Sequence, residues 1–185
     1  NGRLKWKYSV SDASSPTIAS DGTIYFGTKY ELFALNPNGE RIWQSADQLS
    51  NGRWVKSPAL ISDGTIYTIG QTGSSEILYS VNPQDGNINW KTGSSTYPLN
   101  TIPSFSQDVI YSGGYLDLGD SGLFAINASD GTQKWYAAVG DIYGSVPAIS
   151  QDAVYVGTET YTLYALNKTN GSTKSSFYTG AQIRT

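Results

Sequence analysis

Acidic side chains in the segment YLDLGDSG have a spacing that could serve catalysis or metal binding. Asp117 and Asp120 belong to this segment, and Glu159 lies in a similar loop further along the chain. Two carboxyl groups can act as the acid and base of a glycosidase, and carboxylate oxygens are calcium ligands. The DLGDSG spacing, however, matches no calcium-binding loop. We therefore interpret these carboxylates as solvated loop charges and predict no catalytic residue and no metal site.

The absence of histidine and cysteine from the 185 residues restricts the chemistry further. A chain without them cannot form a disulfide, a Cys/His zinc site, a Ser-His-Asp triad or a thiol nucleophile. Missing cysteine does not identify the compartment, because exported proteins can also lack disulfides. The 14 tyrosines and the many Ser, Thr, Asn and Gly residues suit a turn-rich, all-β chain. They also suggest an extracellular, cell-surface or periplasmic location.

The charge balance argues against a nucleic-acid partner. Fifteen acidic and twelve basic residues give a net charge of -3, so there is no basic field to hold a phosphate backbone. No apolar run approaches the roughly 20 residues that span a bilayer, and the first residues lack the apolar centre of a signal peptide. We expect neither nucleic-acid binding nor membrane insertion.

Four similar sequences follow one another along the chain. Each contains a proline before a short apolar run, and these prolines recur every 42 to 45 residues, at Pro16, Pro58, Pro103 and Pro147. A period of this length fits the four-stranded blade of a β-propeller. The sequence therefore predicts a single domain or fragment, 1–185, with an outer strand at 2–8 and repeat units at about 9–43, 50–90, 96–135 and 140–178.

A hairpin turn followed by tryptophan ends most units. The Asn-Gly or Asp-Gly pairs supply the positive φ that a tight hairpin requires. A small residue before the turn leaves space for a neighbouring sheet, and a tryptophan on the outer strand can bury roughly 150 to 250 Å² there. We predict this structural docking role for Trp6, Trp43, Trp90 and Trp135. Ser175 stands at the corresponding position of the fourth unit.

The order of these residues resembles the pyrroloquinoline-quinone-like (PQQ-like) repeat of β-propellers and its tryptophan-docking motif. The resemblance covers nearly the whole chain and implies a propeller of four-stranded antiparallel blades, about four of them here. Relatives include quinone-dependent dehydrogenases, the lipoprotein of the outer-membrane barrel-assembly machinery, and many surface proteins. The dehydrogenases have about eight blades and bind quinone and calcium, and the alcohol-oxidising branch commonly adds a vicinal disulfide. With four repeats and no cysteine, we expect no cofactor here, neither PQQ nor calcium.

One face of the predicted propeller carries the long and variable connections between strands. Loops on a rigid scaffold are common binding sites, and exposed aromatic rings suit protein or carbohydrate partners. The alternative is that the rings only cover the ends of the blades. The predicted binding face carries Tyr30, Trp54, Tyr97, Tyr115, Tyr143 and Tyr161.

We therefore predict a non-catalytic protein-interaction or scaffold module. The alternatives are a fragment of a quinone-dependent dehydrogenase and a carbohydrate-binding propeller. Four blades of this type are fewer than the seven or eight that usually close a ring, and an open arc exposes strand edges that invite pairing. We expect either that two copies form a homodimer, in which Trp6 of one replaces the ring missing at Ser175 of the other, or that a longer parent chain completes the ring.

Overall fold

The protein is all-β in a computed structural model. It forms four antiparallel sheets of four strands each, as the repeat predicts. Among the residues described there is no helix with the length and hydropathy of a membrane span. The structure describes residues 2–46, 49–51, 55–56, 59–60, 64–73, 75–93, 99, 101–116, 119–142, 144–181 and 183. The chain divides into two compact units, Asn1–Lys91 and Thr92–Thr185.

The first unit contains the first and second sheets, and each sheet follows the order of the sequence. The first sheet consists of β1 (Thr17–Ile18), β2 (Ile24–Gly27), β3 (Leu32–Leu35) and β4 (Arg41–Gln44). The second consists of β5 (Ala59–Leu60), β6 (Ile66–Thr72), β7 (Ser75–Val81) and β8 (Ile88–Thr92), the last of which ends at the first residue of the second unit.

The second unit contains the third and fourth sheets, with the same strand order. The third consists of β9 (Ser104–Ser106), β10 (Val109–Tyr115), β11 (Ser121–Asn127) and β12 (Gln133–Ala137). The fourth consists of β13 (Ala148–Ile149), β14 (Ala153–Gly157), β15 (Thr162–Asn167) and β16 (Thr173–Tyr178).

Alternation along β3 places its side chains in two different cores, as the LFAL pattern predicts. Leu32 and Ala34 pack with residues of the second sheet, among them Ile66. Phe33 and Leu35 face the opposite side of the first sheet. The first sheet is thus a layer with apolar residues packed on both of its faces.

Residues 2–10 cover that opposite side without forming a strand in the described chain. Trp6, Tyr8 and Val10 alternate with exposed residues and pack against Phe26 and Phe33. The ring centroid of Tyr8 lies 6.3 Å from that of each phenylalanine, in an edge-on geometry. The period of two therefore gives this segment an apolar face. The predicted outer strand at 2–8 stays a prediction.

Candidate functional site: the uncovered face of the fourth sheet

Three side chains form a row across each of the first and third sheets. Tyr25 on β2 pairs with Ala34 on β3, which pairs with Trp43 on β4. The small central residue lets the two rings meet over it, and their centroids are 5.8 Å apart. The third sheet repeats this row with Tyr111, Ala125 and Trp135, and its ring centroids are 5.7 Å apart.

The tryptophan of such a row also contacts the hairpin of the following sheet. The indole N–H of Trp43 donates to the carbonyl of Pro83, 2.7 Å away. Its ring lies so close to Gly86 (φ +76°) that a Cβ there would come within 2.7 Å of Cε3. This turn therefore needs glycine both for its backbone conformation and for the close approach of the ring.

The same geometry joins the third and fourth sheets. The Trp135 indole donates to the carbonyl of Lys168 at 3.1 Å, and its ring lies against Gly171. Trp6 makes an equivalent contact in the first unit, with its N–H 2.9 Å from the carbonyl of Pro37. Trp90 is half-buried, and its ring centroid lies 5.6 Å from that of Tyr67. All four tryptophans thus contact aromatic rings or hairpin turns.

The fourth sheet has the same row without its tryptophan. Tyr155 pairs with Ala165, which pairs with Ser175. Tyr155 is 39% exposed, whereas Tyr25 and Tyr111 are 4% and 0% exposed. The missing ring therefore coincides with an uncovered tyrosine.

A large side chain stands two residues further along the same strand. Phe177 pairs with Leu163 and is 67% exposed. The equivalent residue of the third sheet is Ala137, which pairs with Leu123 and is buried. In the fourth sheet a small residue has replaced the tryptophan, and a phenylalanine has replaced a small residue. Its surface consequently has a different shape from that of the third sheet.

The opposite side of the fourth sheet is covered. Val154, Val156 and Leu166 are buried in one cluster with Trp135 and Ala137 of the third sheet. Alternation along the strands places Tyr155 and Phe177 on the other side. We call this side, formed by Tyr155, Leu163, Ala165, Ser175 and Phe177, the end face. Leu163 and Ala165 are half-buried, and Ile183 lies against Gly157 on this side. The exposed rings of Tyr155 and Phe177 make the end face the candidate interaction surface.

Of the six aromatic residues predicted for the binding face, the structure describes three. Tyr30 and Tyr161 are each 40% exposed, while the half-buried Tyr115 donates its hydroxyl to Asp141 Oδ2 at 3.1 Å. Tyr161 packs edge-on against Tyr178, with ring centroids 6.3 Å apart. Trp54, Tyr97 and Tyr143 lie outside the described residues. A binding role for the six stays a prediction.

The acidic residues do not form a metal site within the described ranges, where no three His, Cys, Asp or Glu side chains are grouped closely enough. Asp120 is exposed and Glu159 is half-buried, while Asp117 lies outside those ranges. The backbone N–H of Glu159 donates to the carbonyl of Asp141. The expectation that the chain binds neither PQQ nor calcium stays a prediction.

Comparison with known proteins identifies the family. A PQQ-like repeat model described as outer membrane protein assembly factor BamB matches residues 73–182, more than half of the chain. The chain belongs to this PQQ-like repeat family. The predicted resemblance is therefore confirmed. None of the curated proteins compared matches the sequence.

Solved structures support the propeller fold. BamB from Moraxella catarrhalis is 20% identical, with a TM-score of 0.72 over 92% of this chain and 55% of its own. The computationally designed Ika4 protein is 9% identical, with a TM-score of 0.70 over 90% of this chain and 99% of its own. The quinohemoprotein alcohol dehydrogenase ADHIIG from Pseudomonas putida HK5 is 14% identical, with a TM-score of 0.66 over 96% and 36%.

These identities establish the β-propeller fold class and nothing about activity. The chain spans about half the length of the BamB chain that it matches. Tyr155 and Phe177 were not predicted from the sequence as site residues. Their signal was present in the substitution of Ser175 for tryptophan and in the large residue at position 177. Only the structure shows that both rings are exposed, with Ile183 lying against Gly157 on the same side of the sheet.

Proposed function

We propose that this chain is a non-catalytic protein-interaction module and that the end face is its docking surface. The exposure of Tyr155 and Phe177 beside a serine in the place of a tryptophan supports this proposal. Exposed apolar patches on a soluble domain commonly mark contacts with other proteins. The edge strand β16 is exposed along its whole length and offers backbone groups for pairing.

The first unit carries, at Trp6, the kind of side chain that the end face lacks. Trp6 lies on Gly39 and Pro37 of its own chain, as Trp43 lies on the hairpin of the second sheet. Trp43 also contacts the tyrosine of its own row, Tyr25. The end face has the equivalent tyrosine, Tyr155, but a serine in place of the tryptophan. The occupant that we propose for the end face is therefore the Trp6 segment of a second copy of this chain.

Sedimentation equilibrium of the purified chain tests this proposal. We expect a concentration-dependent species of twice the 20.0 kDa chain mass. Phe177→Ser should shift the equilibrium to monomer, because it removes an exposed apolar ring without disturbing a core. Trp6→Ala should also shift the equilibrium to monomer, because it removes the ring that we propose to occupy the end face of the second copy.

Ile102→Ser is the matched control, since Ile102 is 44% exposed but lies outside the end face. It should leave the monomer–dimer equilibrium unchanged. A monodisperse 20.0 kDa monomer throughout the micromolar range would overturn the proposal. Equal effects of Ile102→Ser and Phe177→Ser would also contradict it.

The location proposed for this module is the periplasm or the cell surface. It is supported by the family description, which names an outer membrane protein assembly factor.

The proposal also states that the chain has no catalytic activity. This part needs its own test, because one of the similar structures is an alcohol dehydrogenase. Oxidation of alcohols or sugars by the chain in the presence of PQQ, calcium and a dye acceptor would refute it. Carbohydrate binding stays a prediction of the sequence.

A further inference from the structure

A cavity of about 340 Å³ lies between the third and fourth sheets, at the end where their tight turns meet. Its lining comes from the second unit alone and includes three lysines: Lys134, Lys168 and Lys174. A volume of this size is at the lower end of the range for small-molecule sites. The cavity lies at the opposite end of the strands from the long loops and is separate from the end face.

The charge of this lining differs from that of the whole chain. Three lysines and one acidic residue, Asp152, give it a net charge of +2, whereas the chain carries -3. The repeat itself does not require these lysines. When the hairpins are aligned, Lys134 of the third sheet corresponds to Ile42 of the first sheet. Lys168 and Lys174 of the fourth sheet correspond to Pro83 and Asn89 of the second sheet.

The three ammonium groups have different surroundings. Lys168 Nζ lies 2.8 Å from Ser106 Oγ and 3.2 Å from Gln107 Oε1, so only neutral oxygens position it. Lys174 pairs with Asp152. Lys134 has no ion-pair partner in the part of the chain that the structure describes. Two positive charges are therefore available to an anion.

A buried hydroxyl in the same lining lacks a partner. Tyr111 is fully buried, and its hydroxyl makes no hydrogen bond within the described structure. Burial raises the pKa of Tyr111 to about 12, so the hydroxyl keeps its proton at neutral pH and remains a donor. Tyr136, which lies outside this lining, also has a buried hydroxyl without a partner, so the hydroxyl of Tyr111 does not by itself indicate a ligand.

We propose that this cavity binds a small oxyanion-bearing ligand, a phosphate ester or a carboxylate. Lys168 and Lys134 supply the charge that binds the oxyanion. Lysine is well suited to phosphate because its ammonium acts as a point charge with three donors. Gln107 and Ser106 hold the ammonium of Lys168 at the edge of the cavity.

Isothermal titration calorimetry of the full chain with inorganic phosphate, citrate and glycerol at constant ionic strength tests this inference. We expect saturable binding of at least one anion and none of glycerol. A tighter response to phosphate or to citrate distinguishes the two ligand chemistries. Absence of saturable binding for both anions would overturn the proposal.

Variants locate the site. Lys168→Gln and Lys134→Gln should each weaken anion binding by roughly tenfold, the usual effect of losing one charge-assisted hydrogen bond. Lys5→Gln, at an exposed position in the first unit, is the matched control and should change nothing. Equal weakening by Lys5→Gln and Lys168→Gln would show non-specific attraction and refute the site.

Tyr111→Phe separates binding from folding. It removes the hydroxyl and keeps the ring that packs on Trp135. We expect unchanged anion affinity, because the hydroxyl is fully buried, together with a thermal midpoint at or above that of the parent chain, because the variant no longer buries an unsatisfied donor. Unchanged anion affinity in both lysine variants would refute the proposal.

Discussion

Replacing Trp135 by alanine removes the ring that joins the third and fourth sheets. The side chain is 7% exposed, contacts Tyr111 and Gly171, and donates to the carbonyl of Lys168. Truncation of a buried tryptophan to alanine costs about 3 to 5 kcal/mol. We expect a loss of unfolding free energy in that range, because the rigid backbone of the hairpin cannot collapse into the space.

Urea unfolding followed by far-ultraviolet circular dichroism measures this loss. Ser175→Ala is the matched control, since Ser175 has the same place in the repeat but is exposed, and it should change stability by less than about 0.5 kcal/mol. Trp135→Phe should fall between the two, because it keeps an aromatic ring and loses the indole hydrogen bond. A cost below about 1 kcal/mol for Trp135→Ala would refute the reasoning from burial.

Two further predictions concern the third sheet. Asp108→Gly should raise stability by roughly 0.5 to 1 kcal/mol in thermal unfolding, because Asp108 has a φ of +61° in a turn where the first unit uses glycine; a loss of stability would contradict this. The raised pKa of Tyr111, about 12, predicts that stability falls as the pH rises from about 10 to 12, because the unfolded chain releases this proton first. Tyr111→Phe should flatten that part of the profile, and an equally steep fall would count against it.

The repeat made the fold predictable from sequence. Proline spacing located the four units, and the Asn-Gly and Asp-Gly pairs located the hairpins between the third and fourth strands of each sheet. The alternation in LFAL correctly placed Leu32 and Ala34 on one side and Phe33 and Leu35 on the other. These features could be predicted because each depends on local periodicity or turn chemistry, which a sequence shows directly.

The candidate sites were harder to predict from the sequence, because they are formed by residues that are distant in sequence. The substitution at Ser175 was visible, but the exposure of Tyr155 depends on what lies over it, which local patterns do not reveal. The cavity combines Tyr111 with Lys134 and Lys168, and in sequence these are ordinary strand and turn residues. Likewise, the hydrogen bond from Tyr115 to Asp141 connects the end of β10 with the segment that follows β12.

The hydrogen bonds of the indole groups have a consequence for folding kinetics. Trp6, Trp43 and Trp135 donate to carbonyls that are 31, 40 and 33 residues further along the chain. Each contact therefore closes a loop of about one repeat, and the entropy of closure is nearly the same at each junction because it grows only slowly with loop length. Folding can thus advance one blade at a time during synthesis, since each ring needs only the next hairpin to emerge.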